Sequence, residues 1–497
     1  MSRAIIGKLL GRKRQRGQAI FLALAAIVFL SLMTYAAFNI SQMTHAKSQT
    51  MNAADAGAYT MALAVARDLN FMAYTNRAMV ANHAVIGQLT SLASLSNMIY
   101  LASRDLQNLQ YLRGIPYVGW ILGEIGDAFQ DLADTIRDDI WPMLENITEA
   151  QNYIIQGISY MQVLVRVASM ADMLKVEEVI KANDPELKWA TDGVVGGITS
   201  VNSADAAADF FNTHSRRQGD SGGGSNNCSG PNDDSDTSAL DRMREVVNDS
   251  RDGFTVEREW VKAPPSISPR IKSSHLFHGG TKLSCNNNTW VGVDGFEMEI
   301  CWCPFCFWNK KCQTIRLWLT GEVAGGSGAS DWRYLSHGRL TSTGHQRAYN
   351  RRHYQRTYQL DWDGLNEKYD GLQPYYELTA DPGEGEQETK TFTVAVYKPV
   401  KSSDTSNVTR TPNATQTFQT EAGNLFHLSE GRNEIYGVAA AHAYFRRPAR
   451  SDNDPTAGRL PNEIYKDGNY ATLFSPYWQA RLTKLPAEVA ALLMASD

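Results

Sequence analysis

An uninterrupted apolar run near the N-terminus dominates the pattern of hydrophobic and polar positions in this chain. Ala19 to Phe38 reads AIFLALAAIVFLSLMTYAAF, with Ser31 and Thr34 as its polar interruptions. A helix rises about 1.5 Å per residue, so this run matches the roughly 30 Å hydrocarbon core of a bilayer. We therefore predict a transmembrane helix over residues 18–40.

The pattern beyond this run predicts that the same helix continues. No proline occurs between Gln18 and about Leu112, and glycine occurs there only at Gly57 and Gly87. Apolar residues recur at helical spacing, which predicts one very long helix or two collinear ones. Such a helix needs partners for its apolar stripe, either later helices of the chain or other subunits. The stripe comprises Met61, Val65, Leu69, Met72, Met79, Ile86, Leu89, Leu92, Leu95 and Met98.

Two more helical regions are predicted before residue 218, so that 41–217 forms a helical stalk or bundle. The second helical stretch runs from about Leu122 to Ala182, with a new helix starting near Pro142. It should pack against the first as an antiparallel hairpin. A weaker helical region is predicted from Glu186 to Arg217. The apolar face predicted for the second stretch comprises Ile154, Ile155, Ile158, Met161, Val165, Val167 and Met170.

The composition changes after a flexible Gly/Ser/Asn-rich linker at 218–237. Beyond it, aromatic and β-branched residues become common, and alternating runs such as Thr314–Leu319 and Thr391–Tyr397 predict strands. The tail predicts a short helix from Ala487 to Met494. The predicted fold class is therefore α+β: a transmembrane helix continuing into a helical stalk, then an antiparallel β-rich head over 238–497.

Charge predicts the orientation of the span. Six cations precede it, which predicts a cytoplasmic basic leader over residues 1–17. The whole chain has a net charge of −5; without the leader, 42 basic residues face 53 acidic ones, a net charge of −11. An acidic exterior offers nucleic acid no binding surface. A cleaved signal peptide and a pilin-type leader cut after Gly17 are alternatives, although Leu22 stands where pilin leaders carry Glu.

The cysteines indicate disulfides in the head. All six occur between residues 228 and 312, as Cys228, Cys285, Cys301, Cys303, Cys306 and Cys312. An even, clustered set in an exported segment favours structural disulfides, without selecting their pairing. Cys303 and Cys306 also have the spacing of a thioredoxin-type redox pair, and four cysteines in a short stretch can hold zinc. Both alternatives stay open.

Candidate chemistry elsewhere in the sequence is sparse. The chain has no hydrolase, zinc-protease or nucleotide-binding fingerprint, so we predict no enzyme, no cofactor and no resident metal. Asn70, Tyr74 and Arg77 fall at i, i+4 and i+7 and form a polar line on an apolar, Ala-rich helix. Such a line predicts an assembly helix whose register with a partner helix it fixes, in a homo- or hetero-oligomer. A solvated stripe is the alternative.

Several sequence blocks resemble one bacterial family. The segment Arg16–Gly17–Gln18–Ala19–Ile20, its apolar helix and the following Asn52–Ala56 resemble the N-terminus of TadE/TadG-like proteins of the tight-adherence (Flp) pilus. Residues 69–82 are similar to a block of one TadG-like subgroup. Further similar stretches are Ser250–Phe254, Ala441–Pro448 and Leu473–Leu482. The von Willebrand A domain that many TadG-like chains carry is not recognisable in this sequence.

The resemblance implies a membrane-anchored, minor-pilin-like assembly component in the bacterial inner membrane. Its N-terminus would be cytoplasmic and its bulk periplasmic, with the option of incorporation into a surface pilus. The implied partners are the inner membrane and other pilin-like or Tad machinery proteins. Two functions from other classes are kept as alternatives: a periplasmic thiol–disulfide oxidoreductase using Cys303 and Cys306, and a surface adhesin head.

Overall fold

A computed structural model describes most of the chain outside the basic leader. Gly17, residues 220–237 of the predicted linker and five of the six cysteines lie outside the described residues; Cys301 is the cysteine inside them, and Gln218, the first linker residue, ends a strand. The described residues are 18–114, 119–173, 175–191, 193–219, 240–262, 271–283, 290–302, 313–325, 365, 368–379, 388–399, 434–446 and 471–496.

The first half of the chain is helical, as predicted. One unbroken helix, α1, runs over Gln18–Gln107, a length of 90 residues. The helices that follow are α2 (Gly119–Thr135), α3 (Trp141–Met173), α4 (Val176–Asn183) and α5 (Gly193–Asp209), with a 3₁₀ turn at Asn108–Gly114 and π turns at Ile136–Ile140 and Phe210–His214. A separate helix starting near Pro142 is not seen, because the backbone is helical at both Thr135 and Trp141 and a π turn joins α2 directly to α3.

Strands and short helices make up the rest. They are β1 (Lys188–Trp189), β2 (Ser215–Gln218), α6 (Asp241–Asp249), α7 (Gly253–Val256), β3 (Arg258–Lys262), β4 (Ile271–Leu283), β5 (Trp290–Trp302), β6 (Gln313–Gly325), β7 (Tyr375–Leu378), β8 (Phe392–Pro399), β9 (Glu434–Phe445), β10 (Trp478–Thr483) and α8 (Ala487–Ser496). The two predicted strands lie within β6 and β8, and the terminal helix is α8. The helical region predicted from Glu186 to Arg217 is partly wrong, since β1 and β2 flank α5.

The strands form antiparallel sheets, which confirms the antiparallel part of the prediction. One sheet has the order β1-β8-β9-β10, a second pairs β2 with β7, and a third has the order β3-β4-β5-β6. Two of these sheets join strands from both sides of residue 218, because Lys188 pairs with Tyr397 and Ser215 pairs with Leu378. In the described residues, the helical segment and the β-rich part therefore share sheets across the predicted linker.

Helix α1 is the spine on which the sheets and later helices pack. Its first part, Ile20 to about Ile40, is apolar and exposed, whereas Ala46, Thr50 and most positions from Ala53 onward are buried. Along the helix, β8, β9 and β10 cover the part nearer the apolar run, and β4, β5 and β6 cover the part farther from it. The predicted stripe is confirmed for all its residues except Leu92, which is exposed, and Leu95, which is half-buried.

Helix α3 runs antiparallel to α1, as predicted. It does not bury the apolar face that the sequence pattern predicted to be buried. Trp141 at its start contacts Ser96, and Arg166 near its end contacts Asp68. Ile155 is the one fully buried residue of the predicted apolar face; Ile154, Met161, Val167 and Met170 are exposed. The face that packs on α1 is largely polar.

Small residues allow the sheet to approach α1 closely. The helix is Ala-rich where β9 crosses it, and β9 presents Ala439, Ala441 and Ala443 to the same core. At Gly437 the approach is closest, because a Cβ built there would lie 2.6 Å from the carbonyl oxygen of Thr50. Backbone cannot move aside as a flexible side chain can, so this glycine sets the separation of helix and sheet.

We predict that Gly437→Ala lowers the free energy of unfolding by about 1–3 kcal/mol, because the added methyl overpacks the junction. Gly197→Ala in α5 is the matched control, since nothing lies within 4 Å of a Cβ at that position. The control should be neutral or gain up to about 1 kcal/mol in helix propensity. Thermal and denaturant unfolding of the purified full chain in detergent measures both; equal stability of the two variants would contradict the packing assigned to Gly437.

Candidate functional site

The exposed N-terminal part of α1 is the most prominent functional surface. Among the described residues, two helical stretches are long and apolar enough to cross a membrane, Ile20–Arg104 and Gly119–Asn183. The most apolar part of the first is entirely unburied, whereas part of the second packs inside the protein. A helix that is apolar on all sides and exposed is unstable in water, so this segment is suited to lipid or to other apolar helices.

Beyond the apolar segment, polar side chains fix α1 to the sheets. Asn70 Nδ2 donates to the carbonyl of Trp478 at 2.8 Å, and Trp478 N donates to Asn70 Oδ1 at 3.0 Å. Trp478 begins β10, which is an edge strand. The Asn70 amide thus pairs with the backbone of Trp478 as a neighbouring strand would. It satisfies the N–H and C=O groups of this edge residue, which would otherwise lack a partner strand.

Asn76 joins three further segments to α1. Its Nδ2 donates to the carbonyls of Tyr376 and Leu473, both at 2.9 Å, and its Oδ1 accepts from Gln162 Nε2 of α3 at 2.7 Å. Asn76 is fully buried. Buried amides with several partners tolerate no shift in register, so this residue fixes α1, α3 and β7 in one relative position.

An ion pair completes this contact region. Arg166 Nη2 of α3 lies 3.0 Å from Asp68 Oδ2 of α1 and donates to Ser215 Oγ at 2.8 Å. The guanidinium also lies 4.3 Å from the centre of the Tyr376 ring and 4.8 Å from that of Phe210. Burial raises the pKa of Asp68, while Arg166 and Ser169 lower it. We call Asp68, Asn70, Asn76, Gln162 and Arg166 the docking network.

A second buried ion pair fixes the sheet of β3 to β6. Arg258 Nε donates to Asp294 Oδ1 at 2.7 Å and Nη2 donates to Oδ2 at 3.0 Å, with both side chains fully buried. Ser94 of α1 donates to Asp294 Oδ2, and Arg258 Nη1 donates to the Phe254 carbonyl at 2.9 Å. Burial is the largest influence on Asp294 and raises its pKa, against the opposing effect of Arg258. Removing either residue would leave the other charge buried and unpaired. The pair therefore makes the attachment of this sheet to α1 highly specific.

Three buried titratable groups of the described residues are held in structural contacts. His83 is fully buried, its Nδ1 lies 2.9 Å from the Tyr369 hydroxyl, and burial lowers its pKa to about 3. His442 Nε2 accepts from Arg481 Nε at 2.8 Å, which occupies the lone pair that a base or a metal ligand needs. Burial lowers the pKa of His442 as well. Glu377 is buried beside Arg242, with 3.5 Å between Nε and Oε2, and burial raises its pKa.

Metal binding finds no support in the part of the chain that the structure describes, where no three His, Cys, Asp or Glu residues come together. Cys301 lies near the end of β5, paired in register with Lys272 and Thr314. Cys228, Cys285, Cys303, Cys306 and Cys312 lie outside the described residues. The predicted disulfides, and the zinc and redox alternatives, stay predictions.

The three residues of the predicted polar line have different environments. Asn70 binds β10 of its own chain, where the sequence predicted a partner helix. Tyr74 and Arg77 are exposed and available to a partner, so an assembly role for them stays a prediction. The sequence reasoning missed Asp68, Asn76, Ser94, Gln162, Arg166, Arg258 and Asp294. A polar residue inside the buried stripe, such as Asn76, was the available signal.

The comparisons with known proteins identify no relative. No family model, no curated protein and no solved structure matches this chain.

We predict that Asp294→Asn lowers the free energy of unfolding by about 3–5 kcal/mol, because it strands the buried Arg258 charge. The double variant Arg258→Met/Asp294→Leu should recover most of this loss. The matched control is Glu177→Ala, which removes an exposed pair with Lys181 and should change stability by less than about 0.5 kcal/mol. Denaturant midpoints of the full chain measure all three; an Asp294→Asn variant as stable as the control would contradict the assignment.

A second prediction concerns the pH dependence of folding. The pKa of His83 is about 3 in the folded state and 6.5 for a free histidine, so acid protonates the unfolded state first. The stability that neutral His83 contributes is complete above about pH 6.5 and is lost as the pH falls. Between roughly pH 7.5 and 5.5 the wild type should lose about 1.4 kcal/mol more than His83→Gln. Parallel pH-dependent curves for the two proteins would show that His83 is not held neutral.

Proposed function

We propose that this protein is a membrane-anchored structural component of a tight-adherence Flp pilus machine, minor-pilin-like and without enzymatic activity. The observation that carries the proposal is the continuity of α1. The same helix supplies an exposed apolar segment of membrane-spanning length and, a few residues later, the buried spine of the folded head.

The short distance between anchor and head supports a structural role. Ala46 is already buried, and Lys47 Nζ donates to the carbonyl of Tyr436 in β9. Only about six residues, or roughly 9 Å of helix, separate Ile40 from the first packed position. A rigid junction of this kind transmits position from the membrane to the head, which suits a component of an assembled fibre or machine.

The contacts of the charged and histidine side chains favour the same conclusion. The docking network and the Arg258–Asp294 pair use their polar groups to fix elements of the chain to one another. His83 is sealed in the core, and His442 is occupied by Arg481. These groups are explained by folding, which leaves assembly as the function best supported by the described residues.

The sequence blocks support the assignment to the tight-adherence pilus in particular. The anchor motif and the blocks over 69–82, Ser250–Phe254, Ala441–Pro448 and Leu473–Leu482 resemble TadG-like proteins. The basic leader favours a cytoplasmic N-terminus and a periplasmic head in the bacterial inner membrane. Cleavage after Gly17 would let the chain leave the membrane with a pilus; without cleavage the chain would stay as an assembly protein.

The direct test is purification of the tagged full chain from membranes of its native host. We expect it to fractionate with the inner membrane, to co-purify with pilus assembly proteins, and to be required for surface pili. Mass spectrometry of its N-terminus decides whether Gly17 is a cleavage site. Normal pili in a deletion strain, with no pilus protein in the purified material, would reject the proposed function.

We further predict that Tyr74→Ala/Arg77→Ala weakens co-purification of those partners without changing the melting temperature, because both side chains are exposed. The matched control is Asn70→Ala on the same helix. It should cost about 1–3 kcal/mol of stability, since it leaves the Trp478 backbone without a partner. Unchanged co-purification by the double variant would show that Tyr74 and Arg77 are a solvated stripe.

A further inference from the structure

Helix α3 carries an apolar seam that faces away from the rest of the protein. Its members recur with alternating spacings of three and four residues and all are exposed. This is the heptad spacing of a coiled coil, sustained over about four heptads. We call these residues the outer seam: Met143, Ile147, Ala150, Ile154, Gly157, Met161, Leu164, Ala168 and Ala171.

The opposite face of α3 is the one that packs on α1, so the outer seam has no partner within the described contacts. That face packs on α1 through a second heptad-spaced row that is mainly polar and buried: Thr148, Asn152, Ser159, Gln162, Arg166 and Ser169. A helix at the surface of an isolated protein normally has its apolar side inward and its polar side outward. The inversion in α3 therefore indicates a helix with two partners, one on each face.

The composition around the seam is that of an interface. No Lys, Arg, Asp or Glu occurs between Ala150 and Val165. Tyr153 and Tyr160 flank the seam and are 62% and 70% exposed. Depletion of charge with enrichment of tyrosine and methionine distinguishes the centres of interfaces from ordinary surface.

Gly157 lies at the middle of the seam, and no contact among the described residues requires a glycine there. Nothing lies within 4 Å of a Cβ built on it. An interior helical glycine costs about 1 kcal/mol relative to alanine. A small residue at this position, with Ala150 and Ala168 farther along, lets a second helix backbone come close.

Lipid does not fit as the occupant of this face. Arg166 lies beside Asp68 and Trp141 beside Ser96, so α3 runs alongside that part of α1. At 1.5 Å per residue, these positions lie about 40–85 Å along α1 from Ile40. When the apolar run of α1 crosses a bilayer, the outer seam is therefore far above it, so lipid is not its partner, and the heptad spacing favours a helix of a protein in that place.

We propose that the partner is the α3 helix of a second copy of this chain, packed parallel and in register. Two copies anchored in one membrane have the same orientation, so a two-fold axis along α1 brings α3 against α3 in the parallel sense. The heptad assigns Ile147 and Ile154 to the position at which β-branched residues favour parallel two-stranded coiled coils. Gly157 then faces Gly157. The orientation rests on the membrane anchor of the proposed function, not on its pilus assignment.

Cysteine cross-linking of the full chain in membranes tests both pairing and orientation. Ile147→Cys and Leu164→Cys should each give disulfide-linked homodimers under mild oxidation, at least tenfold above the wild-type background from native cysteines. Glu178→Cys on α4, also exposed, is the matched control and should stay at background. An antiparallel pair instead links Ile147→Cys to Leu164→Cys in mixed samples, with neither variant linking to itself, and that result overturns the proposal.

A charge substitution gives the second readout. The detergent-solubilised wild type should be dimeric by light scattering, and Ile154→Asp should reduce the dimer at least tenfold with an unchanged far-UV circular dichroism spectrum. Val201→Asp makes the same change at an exposed site on α5 and should leave the dimer intact. A monomeric wild type, or an Ile147→Cys variant protected from maleimide while monomeric, overturns the proposal. A monomer that still co-purifies with pilus proteins leaves the proposed function standing.

Discussion

The continuity of α1 is the constraint on which the rest of the structure depends. One helix has to be apolar on all sides over the exposed segment from Ile20 to about Ile40, and then has to be covered over most of its circumference from Ala46 onward. Covering a helix all round needs more than one neighbour. The sheet of β8 to β10, the sheet of β4 and β5, and helices α3 and α4 each take one part of its circumference or length. The folded part of the chain is therefore built around the helix that carries the exposed apolar segment.

Apolar packing alone would leave the position of these elements along the helix weakly determined. Alanine and methionine side chains fit in many registers, whereas hydrogen-bonded amides and paired charges fit in one. Asn70 sets the position of β10 along α1, and Asn76 sets that of β7. Asp294 sets the position of the sheet of β3 to β6 through its hydrogen bond with Ser94. Burying these polar groups has a desolvation cost. In return, the sheets and later helices have a single position along α1.

The sequence predicts the elements of this protein better than their contacts. The length of α1 follows from helical spacing without proline, and β6 and β8 follow from local alternation. In contrast, β1 and β2 are short strands that exist because they pair with Tyr397 and Leu378, far along the chain. No local pattern reports such a partner, so the sequence indicated a helical region there.

The error on α3 has a different physical cause. Both faces of this helix have heptad spacing, and the usual rule places the apolar one inward. The chain instead buries Gln162 and Arg166, because their partners Asn76 and Asp68 are polar residues of α1. A partner helix on the exposed apolar face of α3 would explain why the polar face is buried. The exposed apolar face that made the prediction wrong is therefore also the candidate interface.

The central claim is that membrane span and spine are one rigid helix. Its most direct test is a spin-label distance between Ser41 and Arg77, both exposed, in chains reconstituted into a bilayer and diluted with unlabelled protein. Labels on non-natural amino acids avoid the native cysteines. A continuous helix predicts a narrow distribution centred at about 54 Å. A broad distribution, or one centred more than about 10 Å shorter, would show a break between anchor and head and contradict the account.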